Sequence, residues 1–147
     1  MISSNQFKIF NLALLALTVF LPNERVVIAH SANKQAKSNQ NNQTIKGQSG
    51  GSIDSQGCGF IASSPNYEMN LDKRLDYMRL TVMSAGGQPT LLVLGPNSGD
   101  SFCVLGDEIS GLKPEISGVW ESGNYQIFIG DRLGGRHQFT LDISTDN

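Results

Sequence analysis

From about residue 57 onward, the apolar residues of this 147-residue chain recur at every second position and nowhere at helical spacing, so the folded part is built from strands. The alternation is clearest where Met78, Leu80 and Val82 are set against Arg79 and Thr81, and where Phe139, Leu141 and Ile143 are set against Gln138, Thr140 and Asp142. Thr90-Leu91-Leu92-Val93-Leu94 is continuously apolar between two Gly- and Pro-containing turns, the pattern of a central strand, and Tyr125 to Ile129 is a second. Shorter strands are expected at Gly59 to Ala62, Tyr67 to Leu71, Ser101 to Leu105 and Ile116 to Trp120. So many short strands between Gly, Pro and Asn turns predict an all-β, antiparallel sandwich.

The first residues have a different character. Lys8, the apolar run Ile9 to Leu21 and the small-residue stop at Val27-Ile28-Ala29 read as a secretory signal peptide over 1–29, cleaved before His30. The apolar run is about 13 residues, short of the roughly 20 that a spanning helix needs, so no integral span is expected once the leader is gone. Residues 30–56 are rich in Asn, Gln, Ser, Lys and Gly and are expected to be a low-complexity, disordered linker, because they offer little apolar surface to offset chain entropy. The folded domain is therefore placed at 57–147. Within the linker, Gly47-Gln48-Ser49-Gly50-Gly51 matches the serine-hydrolase elbow in letters only, since no strand and helix flank it.

Charge narrows the range of partners. From Gly57 the chain holds six Lys and Arg against eleven Asp and Glu, which disfavours nucleic acid and anionic membranes. Export favours oxidised cysteines, and the simplest reading of Cys58 and Cys103 is a disulfide; unpaired buried thiols are the alternative.

The residues also carry a family resemblance. Gly57-Cys58-Gly59-Phe60-Ile61, the strand Thr90 to Leu94 with Gly95-Pro96, Cys103 followed by Asp107-Glu108, Gly111 to Gly118, and Gly123 to Gly130 resemble, in that order, the bacterial pre-peptidase C-terminal type of domain. The resemblance implies a jelly-roll-like β-sandwich acting as an accessory or binding module, sometimes holding calcium. The chain departs from the family in having Asp-Glu where Asp-Asp is usual, with Val104-Leu105-Gly106 separating that pair from the cysteine. Family members are commonly appended to a secreted enzyme, whereas no catalytic domain is legible here.

Candidate site residues follow from side-chain chemistry. Asp107, Glu108 and Glu115, with Asp100 nearby, are the candidate metal set, because calcium takes oxygen ligands from carboxylates on loops; the competing reading, favoured for acidic turns of a β domain, leaves them simply solvated. Trp120 and Tyr125 flank a tight turn and are the candidate ligand-binding aromatics, although the reading favoured for such a pair is that it caps one end of the core. His137 shares the inward parity of Phe139 and lacks a legible catalytic partner, so no catalytic residue is assigned. The expected function is a non-enzymatic binding module, secreted or periplasmic, whose partner is a protein or polysaccharide outside the cytoplasm. A trans-acting regulator or inhibitor of a secreted protease is the alternative, ahead of a small hydrolase.

Overall fold

A computed structural model describes residues 42–146. The expected leader and residues 30–41 of the expected linker lie outside that range. Ten strands are formed among the described residues: β1 (Gln43–Gln48), β2 (Ile53–Asp54), β3 (Phe60–Ile61), β4 (Tyr67–Leu71), β5 (Leu75–Ser84), β6 (Pro89–Leu94), β7 (Ser101–Leu105), β8 (Glu115–Trp120), β9 (Gly123–Asp131) and β10 (Gln138–Ser144). They pair antiparallel in two sheets. One sheet runs β1-β10-β5-β8; the other runs β2-β3-β9-β6-β7, with β4 also pairing β9. Among these residues no helix is long and apolar enough to cross a membrane.

The sandwich core follows from the alternation. Leu80, Val82 and Leu141 of one sheet and Leu91, Val93, Ile127 and Ile129 of the other are fully buried in one cluster, while the residues alternating with them point to the opposite faces of the sheets. Every strand expected from Gly59 onward is present. β6 is buried along nearly its whole length because it lies between β9 and β7 in the larger sheet, with a second apolar cluster over its outer face.

The start of the domain is a correction. The linker expected over 30–56 contains β1, which pairs with β10 from Gln43↔Ile143 to Gln48↔Gln138, and β2, which pairs with β3. Only Ile45 and Ile53 are apolar in these two strands, so side-chain burial could not announce them. Backbone bonding to an exposed edge of β10 provides the order instead. Gly47 has a packing role there, since a Cβ at this position would sit 2.9 Å from the Phe139 ring.

Candidate functional site

Cys58 and Cys103 form the expected disulfide, with Cα atoms 5.8 Å apart. Cys103 lies opposite Leu92 in the β6–β7 register and so shares the outer face of the larger sheet. There Cys58 packs with Ile61, Leu92 and Phe128 in the small second cluster. The strap that delivers Cys58 is fixed by polar contacts: the Ser55 hydroxyl accepts the Cys58 N–H at 3.0 Å and donates to the Gly59 carbonyl at 2.6 Å, and the Thr90 hydroxyl donates to the Cys58 carbonyl at 2.7 Å.

The candidate metal set is not gathered. Asp107 Oδ1 accepts the Ser110 N–H at 2.6 Å, and the Ser110 backbone and hydroxyl contacts hold this carboxyl below its ordinary pKa. Glu115 accepts the Thr81 hydroxyl at 2.9 Å across the β5–β8 pair, and Asp100 accepts both N–H groups of Asn97, at 3.3 and 2.9 Å. Glu108 and Asp107 line an open cleft of about 300 Å3 with Gln88, Gly106, Leu112 and Arg132. Among the described residues no group of three or more His, Cys, Asp or Glu is placed to hold a metal ion. Asp107, Glu108 and Glu115 therefore do not fit a shared calcium site: three of the four carboxylates are spent on local turns or on a neighbouring strand.

Trp120 and Tyr125 are core residues, 5% and 3% exposed, rather than a ligand platform. Their rings meet edge to face at 5.1 Å. The Trp120 Nε1–H donates to the Met78 carbonyl at 2.9 Å, and the Tyr125 hydroxyl donates to the Glu121 carbonyl at 2.9 Å, which closes the β8–β9 turn. Tyr125→Phe is expected to lower stability by about 1 kcal/mol, read from a thermal melt. Burial raises the phenol pKa of Tyr125, as it does that of Tyr67. The fold thus favours the neutral phenols. Their contribution is complete below the ordinary tyrosine pKa of about 10 and is lost as pH rises through the folded values. A double Tyr67→Phe, Tyr125→Phe variant should show a flatter fall of melting temperature above pH 10 than the parent.

One constellation was not foreseen. At the rim where β9 ends and β10 begins, the chain brings together Ser49, Asp131 and His137, with Ser49 and Asp131 each 1% exposed. Asp131 Oδ1 accepts the N–H groups of Leu133 at 2.9 Å and Gly135 at 3.0 Å, and Oδ2 accepts that of Gln88 at 2.7 Å. The Ser49 hydroxyl accepts the His137 backbone N–H at 3.2 Å, while the Ser49 N–H donates to the His137 carbonyl at 2.8 Å. The imidazole packs over the turn glycines: a Cβ on Gly87, whose φ is +72°, would lie 2.3 Å from Asp131 Oδ2 and 2.6 Å from His137 Nε2. Among the described residues neither Ser49 nor Asp131 is hydrogen-bonded to the imidazole, so no base–nucleophile relay runs through it. The set clamps β1, the β5–β6 turn and the β9–β10 turn to one another. The inward parity of His137 was readable from the sequence; its partners were not, because they lie 88 and 6 positions away along the chain.

No family model matches the chain. An uncharacterised protein of Synechococcus elongatus is 35% identical over 136 residues, spanning 90% of this chain and 94% of its own length. Among solved structures, the pre-peptidase C-terminal domain of a collagenase from Bacillus anthracis superposes with a TM-score of 0.51 at 16% identity, covering 71% of this chain and 90% of that one.

Proposed function

This chain belongs to the family of the uncharacterised Synechococcus elongatus protein and has the fold of a pre-peptidase C-terminal domain, and from that premise we propose that it is an exported, non-catalytic binding module. The observation that carries this reading is the wiring of Ser49, Asp131 and His137. The groups that would do hydrolytic chemistry are a buried hydroxyl and a buried carboxylate already engaged by backbone N–H donors. A nucleophile held that way has no base to take its proton and no path to substrate. A disulfide closing a small domain suits an oxidising compartment, which supports a location outside the cytoplasm, secreted or periplasmic. The partner is a protein or polysaccharide of that compartment. A secreted protease regulated in trans is a narrower form of the same reading, since the solved neighbour is a domain of a collagenase.

Expression from the full gene with fractionation and intact mass tests the location: the exported form should begin at His30 and weigh two hydrogens less than the reduced chain. Capture from periplasm or medium by the purified protein tests binding. Peptidase, esterase or glycosidase turnover that disappears in Ser49→Ala or His137→Gln would overturn the non-catalytic reading.

A further inference from the structure

Among the described residues the two sheets have five outer edges, since β4 pairs β9 alone, and four are blunted against pairing. β1 carries exposed Lys46; β2 is two residues long; β4 carries exposed Glu68; β8 follows Pro114, opens with Glu115, holds Gly118 at φ +144° and shifts register against β5. These are the usual means by which natural sheets stop another strand from adding. β7 has none of them. Its sequence, Ser101-Phe102-Cys103-Val104-Leu105, is uncharged, without proline or glycine, and in unbroken register with β6 from Ser101↔Leu94 to Leu105↔Thr90.

The free side of β7 is defined by hydrogen-bond parity. The Gly95 N–H donates to the Asp100 carbonyl at 3.0 Å, and the Gly106 N–H to the Pro89 carbonyl at 2.9 Å, so the bonded pairs between them are Val93–Phe102 and Leu91–Val104. The N–H and C=O groups of Ser101, Cys103 and Leu105 point away from the sheet. Phe102 and Val104 share the face of buried Val93 and Leu91, yet Phe102 is 51% exposed because among the described residues no strand lies beyond it. Charge then selects the occupant. Residues 97–112 contain Asp100, Asp107 and Glu108 and no Lys or Arg, so carboxylates stand at both ends of the free edge.

We propose that β7 is a strand-addition site for an extended polypeptide segment of a partner, with apolar residues at alternate positions to cover Phe102 and Val104 and basic residues flanking them. Main-chain bonding to Ser101, Cys103 and Leu105 supplies affinity, and the flanking charges supply selectivity. A second copy of this chain would bring the same carboxylates against themselves, which disfavours self-pairing. The disulfide through Cys103 holds the edge strand to the strap beneath it and presents it already extended.

This deepens the binding-module reading and rests on it. The probe is a fluorescein-labelled peptide, Lys-Val-Thr-Val-Thr-Val-Lys with blocked ends, titrated into the purified protein at low salt and followed by polarisation. Saturable binding is expected, at least tenfold weaker in Leu105→Pro and Ser101→Pro, each of which removes an outward N–H while sparing the bonds to β6. The same loss is expected when the five interior amides of the peptide are N-methylated, or when its lysines become glutamates, controls that require no protein variant. Absence of saturable binding, or equal affinity for the N-methylated peptide, would overturn the proposal. Concentration-dependent dimerisation abolished by Leu105→Pro would also overturn it, by giving the edge to a second copy. A partner captured equally by parent and Leu105→Pro would remove the edge but leave the binding module standing, whereas His137-dependent turnover would remove the module reading itself.

Discussion

Replacing Asp131 by alanine is expected to cost about 4 kcal/mol, because three part-buried N–H groups lose the charged acceptor that a buried carboxylate supplies. Those donors belong to Gln88, Leu133 and Gly135, so the loss reaches both the β5–β6 turn and the β9–β10 turn. Asp131→Asn separates charge from shape. Its carbonyl oxygen can keep the two bonds made by Oδ1, but its amide then faces the Gln88 N–H, donor against donor, and about 2 kcal/mol should be lost. For a domain of roughly 100 residues, 1 kcal/mol moves the melting temperature by about 4–8 °C, so alanine should lower it by about 16–32 °C and asparagine by about half as much. Thermal melts of the two variants check this. Equal, small shifts in both would mean that the carboxylate is a surface group and the rim clamp does not exist.

The double replacement Cys58→Ser, Cys103→Ser is expected to cost about 4 kcal/mol through the chain-entropy effect of the 45-residue separation that the bond closes. A further loss is local. Cys58 is buried against Ile61, Leu92 and Phe128, and a serine there places a hydroxyl in an apolar contact. The small size of the domain makes a loss of this order decisive, since total stabilities of such domains are about 5–15 kcal/mol. Urea unfolding of the oxidised parent, the reduced parent and the double variant separates the contributions. The reduced parent should retain the apolar contact and lose only the cross-link, so it should unfold between the other two. Coincident midpoints for all three would refute the stapling role.

Legibility from sequence divides along a physical line. β5, β6, β9 and β10 were readable because each buries alternate or continuous apolar side chains in a two-sheet core, and burial leaves a period in the letters. β1 and β2 left no such trace. Their order comes from main-chain bonds to β10 and β3, which any residue but proline can make, so a Gln-, Thr- and Lys-containing segment read as a linker. The candidate site divides in the same way. Cys58 and Cys103 could be paired because a chain with two cysteines offers each a single intramolecular partner. The acidic residues offered the right chemistry for calcium, but whether oxygens converge is a matter of loop geometry, and here Ser110, Thr81 and Asn97 claim them separately. Trp120 and Tyr125 carry polar tips that suit either a ligand or a core, and only the packing of their rings against each other, with backbone carbonyls taking their donors, settled the matter.

By itself, then, the sequence determined the class of fold, eight of the ten strands and the covalent staple, because these depend on local periodicity and on the number of cysteines. Tertiary structure alone decided where the domain begins, that Ser49, Asp131 and His137 meet at one rim, and that among the described residues β7 ends a sheet unprotected. Each of these is a relation between residues far apart in the chain, fixed by strand order and backbone hydrogen bonding, and neither of those is written in the side chains of any one segment.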